Sequence, residues 1–264
     1  MKRQTLNPMI PLLAVEPLGM DLRSTAQNAQ KWGFGGLAIG IGHPEIHAKI
    51  FGQTAQRHFK KILSSHGLVL GVLRVGVGKA GAFDSATSQK LLDDALTACE
   101  LAHRLQISVI SIYIGEPKDH QNISGDVAEI FRRLAEHADR TGVIAALSCG
   151  QSPWLLHLLS SMDAPSLAAN LDSPRIVAAG GSPREAAEML AGRIALWTCT
   201  DALRNGSNVQ MTPLGSGQAE SREVVTILQD QDFTGPIIID VRDLPHPAQA
   251  AEQARNQLQE WILK

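Results

Sequence analysis

The sequence has little cysteine, no long apolar run and almost no net charge, and each shortage excludes a class of protein. Three cysteines (Cys99, Cys149, Cys199) in 264 residues are odd in number, widely spaced and without a CxxC pair. That excludes a disulfide scaffold and fits small buried thiols in a reducing compartment. No stretch approaches the roughly 18 apolar residues of a membrane span. Asn7-Pro8 and Glu16-Pro17 interrupt any leader-like apolar segment behind the basic start Met1–Thr5, so a cytoplasmic location is expected. The 24 Lys+Arg against 26 Asp+Glu give a net charge of -2, and basic residues never cluster beyond a pair. A nucleic-acid footprint is therefore not expected, nor a membrane one. Linkers, low-complexity tracts and sequence repeats are missing too.

What is present is a beat. With 44% hydrophobic and 19% charged residues, the chain can bury a sizeable core. Short apolar runs recur at Ile10–Val15, Leu37–Ile41, Leu68–Leu73, Ile107–Ile114, Val143–Leu147, Leu167–Leu171, Ile194–Cys199 and Ile237–Val241. Their spacing matches the roughly 30 residues of a strand plus a crossover helix. Near-continuous apolar runs suit strands buried on both faces. The stretches between carry helical periodicity, as in Leu92, Ala95, Leu96, Cys99, Ala102 and in Ala250, Ala254, Leu258, Trp261. Ser182-Pro183-Arg184-Glu185 reads as a helix start, and Gly33, Gly67 and Gly142 fall where helices should stop. Eight strands alternating with eight helices predict an α/β fold, a single (β/α)8 TIM barrel spanning residues 1–264. An open doubly wound sheet gives the same local pattern and is the alternative.

In a barrel, chemistry belongs on the loops after the strand C-termini. The second strand leads into His43, the fourth into Glu116, the fifth into Ser148-Cys149-Gly150 and the sixth into Asp172. The seventh leads into Thr198, Asp201 and Arg204, the eighth into Asp240 and Arg242. Carboxylates gathered at one mouth can hold a divalent cation or move protons, and arginines can hold an anionic or hydroxyl-rich ligand. Helix capping and exposed ion pairs are the plain alternative for any single one of them. Asp172 and Asp240 stand out because polar residues that directly continue buried strands need a reason.

Other chemistries are excluded by what is missing. Gly76-x-Gly78-x-x-Gly81 lacks the acidic partner of a dinucleotide fingerprint and the hydroxyl of a phosphate-binding loop, so no nucleotide cofactor is expected and the segment reads as a loop over the mouth. No lysine lies between Lys118 and Lys264, which excludes a Schiff base on strands five to eight. His47, His58, His66, His103, His137 and His157 fall in helical stretches; only His43, His120 and His246 lie where a ligand could reach. Cys149 and Cys199 have no strand-end histidine to activate them.

The segments Ala29–Leu37, Asn170-Leu171-Asp172, Ile194–Asp201, Pro213–Gly217 and Phe233–Asp240, in that order and spacing, resemble the xylose isomerase-like TIM barrels. These include sugar (phosphate) isomerases, epimerases and endonuclease IV relatives. The resemblance spans nearly the whole chain. It implies a divalent metal (Mn, Mg or Zn) on four ligands, namely Glu, Asp, His and Glu at strands five to eight, with the two glutamates exchanging protons at adjacent carbons. Matched position by position, this chain offers Ser148, Asp172, Thr198 and Asp240, and Ala38 where strand two usually has Glu. Asp201 and Arg204 match residues that follow the strand-seven ligand. Two carboxylates without an imidazole would bind a metal weakly. Two readings stay open. In the first, a small sugar-like substrate meets Asp172 and Asp240, with Asp240 as base and His43, Glu116, Asp201, Arg204 and Arg242 as binding residues. In the second, the barrel is non-catalytic and metal-free and binds a ligand or partner. Oligomeric state is left open.

Overall fold

A computed structural model describes residues 9–46, 51–76 and 81–263. The readings of Met1–Thr5, of His47 and of the 77–80 part of the glycine loop lie outside the described residues.

Eight parallel strands close on themselves. They are β1 (Pro11–Ala14), β2 (Gly36–Gly40), β3 (Val69–Gly76), β4 (Val109–Tyr113), β5 (Ile144–Ser148), β6 (Leu167–Asp172), β7 (Ile194–Cys199) and, after a hairpin of β8 (Asp201–Asn205) and β9 (Asn208–Thr212), β10 (Ile237–Ile239). The last pairs with the first through Pro11–Ile237, Leu12–Ile238 and Leu13–Ile239, which leaves no open edge in the barrel. This is the (β/α)8 architecture expected from the beat of apolar runs, and the open sheet is set aside.

Helices α1 (Leu22–Lys31), α2 (Gln53–Ser65), α3 (Ser85–Leu105), α4 (Gly125–Thr141), α5 (Ser152–Met162), α6 (Ser173–Ala179), α7 (Pro183–Met189), α8 (Ser221–Asp230) and α9 (Pro247–Ile262) wrap the outside. That is nine among the described residues rather than eight, because both α6 and α7 follow β6. Their starts are fixed by side chains that accept orphan backbone N–H groups: Asp21 from Ser24, Asp84 from Ala86 and Ser182 from Glu185. Gly33, Gly67 and Gly142 all have positive φ just past helix ends, as their positions in the sequence suggested.

Side chains alternate along each strand, so every second residue faces the barrel axis. At the N-terminal half of the interior these form a closed apolar plug: Leu12, Ala14, Ala38, Val72, Val109, Ala146, Leu196 and Ile238. Two residues further along five of those strands the same wall carries Arg74, Ser111, Ser148, Thr198 and Asp240. The barrel interior thus changes from hydrocarbon floor to polar mouth within one pleat, and the floor gives the polar layer a water-poor base. Arg74 lies inside β3, which runs on to Gly76, and not in the loop after Leu73 as the apolar run suggested.

The hairpin was not anticipated. Its two-residue turn, Gly206-Ser207, has φ +62° at the glycine and no positive φ at the serine, the pattern of a type II′ turn. Asp201 ties the hairpin down. Its carboxylate accepts from the backbone N–H of Ala202 (2.9 Å), Ala219 (2.8 Å) and Gly215 (3.0 Å) and is 1% exposed. No described helix is long and apolar enough to cross a membrane.

Candidate active site

Two charged clusters sit on opposite arcs of the mouth. The first joins β1, β3 and β10. Asp240, one residue past β10 and 3% exposed, accepts from Arg74 Nη2 at 2.6 Å and from Arg242 Nε at 2.8 Å, with Arg242 Nη2 on the same oxygen. Its other oxygen accepts the Arg242 backbone N–H at 3.2 Å. Arg74 Nη1 reaches Glu16 Oε2 at 3.2 Å, and Glu16 Oε1 takes the Gly40 N–H at the end of β2. Thr200 Oγ1 donates to the Asp240 carbonyl, fixing the backbone beneath the carboxylate. Burial by itself would push the Asp240 carboxyl up, but the Arg74 and Arg242 guanidiniums outweigh it and hold the group down at about 2. Burial opposes the Arg242 charge likewise, and the bond to Asp240 raises its pKa above the usual guanidinium value.

The second cluster joins β4, β5 and β6. Asp172, the last residue of β6, accepts from Arg175 Nε at 3.1 Å across the first turn of α6. The Arg175 guanidinium carbon lies 3.4 Å above the Tyr113 ring, a stacked cation–π contact. Tyr113 Oη donates to Glu116 Oε1 at 3.2 Å, and the Gly150 N–H reaches both Glu116 oxygens at 3.0 and 2.8 Å. Burial pushes the Glu116 carboxyl up, against the Gly150 and Tyr113 hydrogen bonds, and pushes the Tyr113 phenol up to about 12. Below the two clusters Thr198 Oγ1 donates to Asn170 Oδ1 and Asn170 Nδ2 donates to Ser111 Oγ, each at 3.1 Å, bridging β7, β6 and β4 through the interior. Ser148, paired in register with Tyr113, is 1% exposed and its hydroxyl has no hydrogen-bond partner among the described residues.

Of the residues singled out in the sequence, Asp172, Glu116, Asp240 and Arg242 come together at the mouth, with Ser148 and Thr198 in its wall. The others are held elsewhere. The Asp201 oxygens are taken by three backbone N–H groups, so contact with a ligand would cost those bonds. Arg204 projects from the exposed hairpin to a separate cleft of about 400 Å³ with Val177, Gly180 and Gln218. His43 Nδ1 accepts the Glu45 N–H at 3.3 Å. His120 and His246 are exposed. Burial pushes the Cys149 thiol up to about 12, far from an activated nucleophile. Sequence reasoning missed Glu16, Arg74, Tyr113 and Arg175 as parts of the site. An open bowl of about 1000 Å³ at the N-terminal end of the barrel, lined by Ser108, Ile144, Arg193 and Pro236 among others, lacks such convergence of charge.

The position-by-position resemblance would put a divalent ion between Ser148, Asp172, Thr198 and Asp240. The residues do not fit one. Both arginines on Asp240 would repel a dication, Arg175 occupies Asp172, and the Thr198 hydroxyl donates to Asn170 rather than presenting its oxygen. Among the described residues no group of three or more His, Cys, Asp or Glu side chains could hold a metal.

A closed parallel barrel whose buried polar groups converge at the strand C-termini is the architecture of a TIM-barrel active or binding site. Residues 26–262 match the model of the xylose isomerase-like TIM barrel family, and the chain belongs to that family. Among solved structures it resembles a xylose isomerase domain protein from Planctomyces limnophilus (21% identity, 96% of each chain, TM-score 0.79). It also resembles a xylose isomerase-like TIM barrel protein from Mycobacterium smegmatis in complex with magnesium (14% identity, 99% of this chain and 98% of that one, TM-score 0.76). A third is the D-psicose 3-epimerase from Clostridium cellulolyticum H10 with D-tagatose (13% identity, 96% and 99%, TM-score 0.75). At these identities the likeness is one of fold. No curated protein matches the sequence.

Proposed function

We propose that the mouth binds a small polyhydroxylated, sugar-like ligand, and that guanidinium groups supply there the positive charge a divalent ion supplies in metal-bearing relatives. One observation carries this reading: the buried Asp240 carboxylate, at a position that the resemblance assigns to a metal ligand, is held by Arg74 and Arg242. The ketose in the structurally similar D-psicose 3-epimerase, and the likeness to an L-ribulose 3-epimerase, support the ligand class. The chemistry of the wall supports it as well, since Ser148, Tyr113, Glu116 and the arginine N–H groups alternate donors and acceptors as a chain of hydroxyls requires. Arginine forks would further favour a ligand carrying a phosphate or carboxylate.

The test is a thermal-shift and calorimetric panel of aldoses, ketoses and their phosphates on EDTA-treated protein. Saturable binding that neither EDTA nor added Mn²⁺ alters is expected. Binding that appears only with Mn²⁺, or no binding across the panel, would overturn the reading.

A further inference from the structure

Four carboxylates face the mouth, and three are already neutralised: Glu16 by Arg74, Asp240 by Arg74 and Arg242, and Asp172 by Arg175. Glu116 alone has no ion pair among the described residues. It is half-buried, and it leans from the end of β4 over the end of β5, where the Gly150 N–H fixes both of its oxygens. A second, independent observation points to a ligand in the same arc: the buried Ser148 hydroxyl, directly across the strand pair from Tyr113, lacks a protein partner among the described residues. Arg175 commits Nε to Asp172 and leaves its two Nη groups, among the described residues, for a ligand.

We propose that Glu116 is the proton-transfer group of this mouth, acting without a metal on an α-hydroxycarbonyl ligand seated against Ser148, Tyr113 and Arg175. The inference rests on the sugar-like ligand class proposed above and goes beyond it by naming a reaction and the residue that performs it. In the forward step a Glu116 oxygen takes the proton from the carbon next to the carbonyl. The C–H electron pair becomes the new C=C bond, the carbonyl π pair moves to oxygen, and the resulting oxyanion lies beside the Arg175 guanidinium. The protonated Glu116 exchanges with solvent and delivers a proton to the former carbonyl carbon, while the neighbouring hydroxyl gives its proton to the oxyanion and becomes the new carbonyl; this completes an isomerisation with no oxidant or co-reactant.

The environment suits the task. The groups facing Glu116 are Tyr113 from β4, Asp172 from β6, Arg175 from α6 and the neutral Cys149 thiol after β5. Burial lifts Glu116 while the arginines depress Asp240, and two carboxyls driven apart in this way divide between proton carrier and fixed charge.

The experiment compares wild type, Glu116→Gln and Tyr113→Phe. Binding of D-tagatose, L-ribulose and fructose 6-phosphate is followed by calorimetry, and deuterium uptake from D₂O at the carbon beside the carbonyl by NMR. Wild type should exchange deuterium into at least one ligand, and Glu116→Gln should lose about 10²-fold or more of that exchange while saturable binding of the same ligand persists. Exchange should rise with pH as Glu116 ionises. Tyr113→Phe removes a hydrogen bond that favours the ionised form, so its rise should move to higher pH, which a purely structural role would not produce. Binding without exchange in wild type, or full exchange in Glu116→Gln, would overturn this inference and leave the binding proposal standing. Absence of any binding would overturn both.

Discussion

Replacing Asp240 by asparagine keeps the shape of the side chain and removes the charge that Arg74 and Arg242 share. The carboxyl is shifted from 3.8 to about 2 at a site that is 3% exposed. At about 1.36 kcal/mol per pH unit, that shift corresponds to about 2 kcal/mol of native stability. The sign follows from a depressed folded-state value: the contribution is complete above the ordinary carboxylate range and is lost as pH falls from 3.8 toward about 2. The amide oxygen of the Asp240→Asn side chain can still accept a hydrogen bond, so the loss at neutral pH should stay near this figure. Asp240→Ala leaves the exposed Arg242 without its partner and Arg74 with Glu16 alone, so it should cost somewhat more than Asp240→Asn, about 3 kcal/mol. The assay is urea unfolding of wild type and Asp240→Asn at pH 7, 5 and 3. The two should differ by about 2 kcal/mol at pH 7 and 5, and by about half of that at pH 3. An equal difference at all three pH values, or one below about 0.5 kcal/mol at pH 7, would refute the placement of the carboxylate between two arginines.

Other outcomes follow from single contacts. Asp201→Ala strands the buried backbone N–H groups of Ala202 and Ala219 and frees that of the exposed Gly215, so it should cost about 2 kcal/mol or more; amide exchange should then accelerate in 201–219 before the barrel strands. Gly217→Ala should weaken the same corner by about 2 kcal/mol in urea unfolding, because a Cβ there collides with Asp201 Oδ1 and the Ala202 carbonyl. Trp197→Phe removes the 2.9 Å bond from Nε1 to Ser173 Oγ and leaves a cavity in a fully buried site, so it should cost about 2–3 kcal/mol in the same assay. All three thiols are buried, and burial raises each pKa, to about 12 for Cys99 and Cys149. A disulfide reagent at pH 8 should therefore label none in native protein and three after unfolding.

The barrel was legible because a parallel strand covered on both faces must be apolar throughout, and runs such as Ile194–Cys199 and Leu167–Leu171 announce this locally. The hairpin was not, since its strands are short and mostly exposed. Only Gly206-Ser207, a permitted type II′ pair inside a polar stretch, signalled the turn. The site divides in the same way. Asp172 and Asp240 betray themselves by extending apolar runs with a charge. Arg74 looked like a residue beyond a strand end, and Glu16 like an interruption of a leader, because the bond joining Arg74 to Asp240 spans 166 residues of sequence. Tyr113 sits at the end of the apolar run Ile107–Ile114 and reads there as one more core residue. Arg175 follows the sixth strand by three residues, but its stacking on Tyr113 depends on how α6 is placed, which the sequence alone does not specify. Ion pairs across a barrel leave no periodicity to read.

In the proposed function guanidiniums, not a metal ion, neutralise the carboxylates of the mouth. Titration of EDTA-treated protein with Mn²⁺, followed by the loss of the free-ion electron paramagnetic resonance signal, tests this most directly. No saturable uptake is expected into the low millimolar range. One Mn²⁺ bound per chain at micromolar concentration would contradict it.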